Sequence, residues 1–334
     1  MTERLQGSSG VVRAAELLRG GGTVAFATET VYGLGANTLD AVAVEKIFVA
    51  KERPHWDPLI VHVCDAAMLE QVAEIGAEIA VRVEALAAAF WPGPLTMLLP
   101  RRSVVPDAVT AGRPLVGVRV PRHRLALELI RTAGVPVAAP SANRFGRVSP
   151  TTAAHVLQDL DGRIDAVLDG GATEVGLEST VLDVSTSPMV MYRPGAVTLE
   201  EIASVAGEVR VYLPVGDENV EPQESLPSPG VGIRHYAPRA RLVLVQDAAE
   251  MQRVITERAG ERVGAMVPEG WNVRAAQSFA WGSMDAPEVL ARRLFAGLRE
   301  LDAAGVDVIV CALPEGDGIV RAILDRLEKA ARQS

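Results

Sequence analysis

What constrains this chain most is an alternation. Short apolar runs with the spacing of β-strands recur between stretches with the spacing of helices. The runs "TVAFA", "LIVHV", "LTMLLP", "LVGVRV", "VPVAA", "DAVLD", "STVLDV" and "MVMYR" are separated by helical patterns over 40–50, 67–89, 123–133 and 152–160. Such a pattern predicts an α/β domain over residues 1–210, an open twisted mixed sheet with helices on its faces and antiparallel pairs where connections are short. A helix over 198–206 and the run "EVRVYL" close it. Residues 214–230, "PVGDENVEPQESLPSPG", carry no apolar period and predict a linker, taken as 211–240. From 241 to 334, "LVLVQ", "RVGAMV" and "VDVIVCAL" alternate with helical patterns over 247–258, 286–304 and 317–332. Three strands among helices predict a smaller Rossmann-like C-terminal domain. It lacks GxGxxG, so dinucleotide binding there is unsupported.

At 334 residues two domains are expected. A formal charge of −9 argues against nucleic acid as the main ligand, because a phosphate backbone demands a basic surface. Cys64 and Cys311 are too few and too far apart for a disulfide framework or zinc cluster, which points to a reducing compartment. The N-terminal "MTERLQGSSGVVRAAELLRGG" has no apolar signal core and no run of eighteen apolar residues occurs, so a cytoplasmic protein without membrane contact is expected. No GxxxxGK[ST], HExxH, CxxC or GxSxG is present, which removes the P-loop, zinc and serine-hydrolase readings.

What remains are polar residues at strand ends and on strand faces. Thr28-Glu29-Thr30 and the Gly33-x-Gly35 pair follow the first strand. Lysine occurs only at Lys46, Lys51 and Lys329, so Lys51-Glu52-Arg53-Pro54 stands out. In an extended segment Lys51 and Arg53 would form a two-pronged cation suited to polyphosphate; alternatively they complement the preceding helix terminus. Strand alternation sets Ile60 and His62 on one face, opposite Leu59, Val61 and Val63, and a lone strand histidine is more often structural. In "LVGVRVP", Gly117 and Arg119 share a face. A guanidinium there requires an anionic partner, either an internal carboxylate or a ligand's. Ser141 and Asn143 follow a strand, as turn formers or as ligand contacts. Ser149-Pro150 has the form of an N-cap followed by proline at the first helical position. Ser179, Thr180 and Arg193 sit at strand edges.

As a set, "TETVYGLGAN", "KERPHWDPLIVHV", "GVRVP", "PSANRFGRVSPTT", "LESTVLDV", "RPGAVT" and "SPGVGIRHYAP" resemble the YrdC-type L-threonylcarbamoyladenylate synthase family in its long two-domain form. The resemblance implies formation of L-threonylcarbamoyl-AMP from L-threonine, bicarbonate or CO2, and ATP, with release of pyrophosphate. That is the first step of N6-threonylcarbamoyladenosine formation in tRNA. It implies that Thr30, His62, Arg119 and Ser179 hold L-threonine. By the same resemblance Lys51, Arg53, Ser141 and Asn143 surround the reacting phosphates, and Asp57, Ser149, Arg193 and Tyr236 complete the ATP site, Tyr236 from a linker folding over it as a lid. Two positions depart from the family: Ala27 replaces a usual proline and Asp57 a common asparagine. Mg2+ is expected on phosphate oxygens and water, with no metal site built from protein ligands. A downstream tRNA threonylcarbamoyl transferase is the expected partner, and direct tRNA binding is not expected. An RNA-binding module without adenylate transfer, or a carbamoyl transferase on a related fold, are the alternatives.

Overall fold

A computed structural model describes residues 1–213, 228 and 236–332. The chain enters through β1 (Glu3–Gln6) and α1 (Gly7–Arg19), continues with β2 (Val24–Phe26), β3 (Gly33–Asn37) and α2 (Ala41–Lys51), and reaches β4 (Ile60–His62). Two helices follow, α3 (Ala66–Val72) and α4 (Ala77–Phe90), in place of one helical stretch over 67–89. The break has a local cause: Ala73 bridges Arg101 and the Glu74 amide donates to the Pro100 carbonyl, which pulls the chain out of helical geometry. Next come β5 (Leu95–Pro100), α5 (Asp107–Thr110), β6 (Leu115–Arg119), α6 (Arg124–Ala133), β7 (Val137–Ala138) and α7 (Ala153–Leu160). The first unit ends with β8 (Ala166–Asp169), β9 (Thr180–Asp183), β10 (Met189–Arg193), α8 (Leu199–Ala206) and β11 (Val209–Val211).

These strands form one sheet of eleven in the order β1-β8-β2-β3-β7-β4-β6-β5-β9-β10-β11. It is mixed, as the connection lengths predict: β4 and β6 pair in parallel, while β2–β3, β4–β7 and β5–β6 are antiparallel. In the parallel register Ile60 faces Gly117 and His62 faces Arg119, so imidazole and guanidinium stand side by side on one sheet face. Gly33 and Gly35 lie inside β3. A Cβ on Gly35 would come within 2.7 Å of Val137 Cγ1 and 2.8 Å of Phe26 Cε1, so this glycine serves packing and not ligand approach.

Helix starts follow side-chain chemistry. Asp40 accepts from the amides of Val42 and Ala43 at the head of α2, and Thr198 with Glu201 forms a capping box on α8. Ser149 does not cap α7. Thr152 does, accepting from the His155 amide at 3.2 Å, because it is itself extended and the helix begins only at Ala153.

The second unit holds β12 (Arg241–Val245), α9 (Ala248–Glu257), β13 (Val263–Pro268), β14 (Gln277–Gly282), α10 (Pro287–Ala303), β15 (Val308–Ala312) and α11 (Ile319–Ala331). Its sheet is wholly parallel, ordered β12-β15-β13-β14, with one strand more than the pattern predicts. β14, "QSFAWG", has its solvent side rich in polar and small residues and so lacks a continuous apolar run. The two units share apolar surface. Val31, Val148 and Leu177 of the first, with Tyr236, belong to the same buried cluster as Phe295, Leu294 and Ile323 of the second.

Candidate active site

A partly open cleft lies on the sheet face that bears Ile60, His62 and Arg119. One wall is the 28–33 segment, where the chain leaves β2 and returns as β3. Thr28 Oγ1 donates to the Val31 carbonyl at 2.6 Å and lies 2.7 Å from Thr30 Oγ1. These contacts turn both threonines inward and satisfy polar groups that water cannot reach.

Arg119 organises this wall. Its Nη2 lies 2.6 Å from Glu29 Oε1, Nη1 donates to Thr30 Oγ1 at 2.9 Å, and Nε donates to the Gly93 carbonyl at 3.1 Å. The anionic partner that a buried guanidinium demands is therefore an internal carboxylate, Glu29, whose Oε2 also accepts from the Arg122 amide. Burial would push the Glu29 carboxyl up, but the charge and hydrogen bond of Arg119 outweigh it and the net shift is downward. His62, at the register position beside Arg119, is held neutral: burial first, then the arginine's charge, lower it to about 3. Opposite, Ser179 Oγ lies 2.8 Å from Thr96 Oγ1 and accepts from Arg193 Nη2 at 3.2 Å.

The second half of the cleft is built around two further buried arginines. Arg53 Nε donates to the Asp57 carbonyl at 3.1 Å, and Nη2 donates to the Pro58 carbonyl at 2.7 Å and sits 2.9 Å from Asp57 Oδ2. Arg193 Nε donates to the Ser179 carbonyl at 3.0 Å. Tyr236 is 1% exposed, with φ 64, and its ring packs on Phe295 at 5.6 Å between centroids. A tyrosine in left-handed geometry is strained, and here packing on both sides holds it.

Of the residues singled out in the sequence, Thr30, Arg53, His62, Arg119, Ser141, Ser179, Arg193 and Tyr236 line this cleft. Lys51, Asp57, Asn143 and Ser149 stand behind the lining. Lys51 and Arg53 do not form a two-pronged cation, because Glu52 between them is left-handed at φ 55 and turns the chain. Lys51 Nζ instead donates to the carbonyls of Ser141 and Asn143, both at 2.5 Å, and shapes the 141–143 loop from beneath. Nor does it cap its own helix. Asn143 Nδ2 donates to the carbonyls of Arg144 and Arg147, Asp57 is the counter-ion of Arg53, and Ser149 Oγ donates to Glu178 Oε1 at 2.5 Å. Glu178 is the charged lining residue that sequence reasoning passed over. The one available signal was an acid directly before Ser179 in "GLESTVLDV". The lid expected over 214–238 falls, apart from Ser228 and 236–238, outside the described residues.

Among the described residues no group of three or more His, Cys, Asp or Glu is placed to hold a metal. The three carboxylates nearest the cleft each face an arginine: Glu29 faces Arg119, Asp57 faces Arg53 and Glu178 faces Arg326. Each of these carboxylates is thus already paired with a cation. No described helix is long and apolar enough to cross a membrane.

Residues 16–195 match the family model Sua5/YciO/YrdC, described as "Telomere recombination", and residues 197–332 match the model "Threonylcarbamoyl-AMP synthase, C-terminal domain". A threonylcarbamoyl-AMP synthase of Pyrococcus abyssi is 44% identical over 95% of this chain and 93% of its own, and one of Bacillus subtilis is 43% identical over 96% and 92%. The crystal structure of P. abyssi Sua5 complexed with L-threonine superposes with a TM-score of 0.91 at 41% identity, covering 99% of this chain and 97% of that one. The chain belongs to the Sua5/YciO/YrdC family, in the form that carries the threonylcarbamoyl-AMP synthase C-terminal domain.

Proposed function

We propose that this protein synthesises L-threonylcarbamoyl-AMP from L-threonine, bicarbonate or CO2, and ATP, releasing pyrophosphate, as the first step of N6-threonylcarbamoyladenosine formation in tRNA. The observation that carries the reading is the division of one cleft into two chemistries. Thr30, His62 and Arg119 offer hydroxyl, neutral imidazole and guanidinium to an amino acid, while Arg53 and Arg193 offer two cations to a polyphosphate. A neutral His62 leaves the substrate ammonium unrepelled and accepts a hydrogen bond, its Nδ1 being buried without a partner among the described residues. Arg119 lines the cleft and directs three of its five N–H groups to Gly93, Thr30 and Glu29, and the two that remain suit a substrate carboxylate.

In this reading threonine's amine takes up CO2 to give a carbamate and a proton. A carbamate oxygen then attacks the α-phosphorus, and the bond to pyrophosphate breaks. No covalent enzyme intermediate is required, so the chain acts by holding the two substrates in line and neutralising charge. Arg53 and Arg193 supply that charge; Lys51 and Asn143 act one layer out, by fixing the loop that presents Ser141. Ser149 and Asp57 act through Glu178 and Arg53 respectively. Mg2+ would enter with the triphosphate and add charge neutralisation there. The reaction takes place in the cytoplasm, and its labile product passes to a tRNA threonylcarbamoyl transferase.

Pyrophosphate release from protein, ATP, threonine and bicarbonate is the test. The expected result is release that needs all three substrates. Release that ignores threonine, or none at all, overturns the reading.

A further inference from the structure

The described part of the site is not closed by the first unit alone. Arg326, on α11 of the second unit, has a fully buried side chain and reaches into the wall of the cleft. Its Nε donates to Glu178 Oε2 at 3.0 Å, its Nη1 donates to the Pro194 carbonyl at 3.0 Å and to Asp325 Oδ2 at 2.7 Å, and its guanidinium carbon lies 5.2 Å from the centroid of the Tyr236 ring. Glu178 and Tyr236 line the cleft, and Pro194 directly follows the lining residue Arg193. Glu178 spends its other oxygen on the Ser149 hydroxyl. A second arginine of the same unit, Arg299, donates from Nη2 to the Val148 carbonyl at 2.5 Å and from Nε to the Ser149 carbonyl at 3.3 Å. Two arginines of the second unit thus brace the wall behind the polyphosphate side, Arg326 at Glu178 and Pro194 and Arg299 at Val148 and Ser149.

We infer that Arg326 is a positioning residue for ATP, supplied by the C-terminal domain: it neutralises and orients Glu178 and pins the Arg193-Pro194 backbone. The inference rests on the adenylate-forming reading above. A carboxylate facing a cleft that must take a triphosphate repels its ligand unless a cation compensates it. Arg326 is that cation, and its contact with the Pro194 carbonyl keeps Arg193 in reach of Ser179. The second unit is thereby part of the nucleotide site, and threonine, on the Arg119 side, does not depend on it.

Direct binding of ATP and of threonine, each measured by equilibrium dialysis, separates this from the fate of the overall reaction, which the wild-type pyrophosphate assay decides. Arg326→Met should weaken ATP binding by about tenfold or more, and leave threonine binding within about twofold. Arg326→Met with Glu178→Gln should recover most of the ATP loss, because the uncompensated charge is gone. Arg326→Lys should recover part of it. Equal losses for both ligands, or no recovery in the double variant, would mean that Arg326 only holds the domains together. If Arg326→Met does not fold, Glu178→Gln alone decides. It removes the carboxylate from the cleft wall while Arg326 keeps Asp325 as its counter-ion, and should tighten ATP binding by about threefold or more; unchanged or weaker binding overturns the inference.

Discussion

Replacing Arg119 by Met keeps much of its volume and removes its charge. In the wild type its pair with Glu29 is nearly solvent-free, with side-chain exposures of 4% and 1% at 2.6 Å. Deleting one partner of such a pair leaves a buried, uncompensated charge and costs about 3–5 kcal/mol, a large share of the roughly 5–15 kcal/mol by which domains are stable. The pH dependence carries a sharper signature. In the wild type the Glu29 carboxyl sits below its ordinary 4.5, so its contribution is fully present above 4.5 and is lost only as the pH falls through the lowered value. Without Arg119, burial dominates and the carboxyl rises above 4.5. The folded variant then binds more protons than the unfolded chain between the two values, and its stability falls as pH rises. The stability gap between wild type and variant should therefore narrow from pH 7 to pH 5, read as the difference in urea midpoints so that other titrating groups cancel. In turnover, loss of the guanidinium should raise the threonine requirement by about one to two orders of magnitude while the ATP requirement stays within about threefold. A gap that does not narrow would refute the electrostatic account of Glu29, and equal changes in both requirements would refute the assignment of Arg119 to threonine.

Lys51→Met should lower stability by about 2–4 kcal/mol, because two loop carbonyls lose their donor; a variant that melts like wild type yet releases no pyrophosphate would place the ammonium on the phosphates instead. His62, neutral down to about 3, should contribute no step to the pH profile of threonine binding across the neutral range, and an imidazole proton signal titrating there would contradict it. Gly35→Ala should cost about 1–3 kcal/mol through contact with Val137 and Phe26, with substrate affinities unchanged in the fraction that folds. Thr152→Ala should cost about 1 kcal/mol as a lost N-cap, whereas Ser149→Ala should act mainly on ATP binding, through Glu178; matching thermal melts with reversed ATP effects would refute the division.

Period and local chemistry are written in neighbouring residues, and the sequence by itself determined what depends on them. The alternation of runs predicts the mixed sheet, the helices over 123–133 and 152–160 lie within a residue of α6 and α7, and the shared face of Gly117 and Arg119 is realised in β6. Burial of an arginine in a central strand demands an anion whatever the fold, and that much was legible before any coordinates. Which anion was not, since Glu29 lies ninety residues away and only the 28–33 excursion from β2 brings it to Arg119. β1 was illegible because "ERLQ" offers one apolar residue, α1 was passed over although Val11, Ala14, Ala15 and Leu18 keep a helical period, and β3 was illegible because a glycine pair reads as a loop until Phe26 and Val137 are seen filling the space beside it. Lys51 and Arg53 were separated by a single left-handed Glu52, a dihedral that spacing does not encode. Glu178 and Arg326 are 148 residues apart, in different domains. Their meeting follows from long-range packing of α11 against the β9 approach, and long-range packing, unlike period, is a property of the folded chain alone.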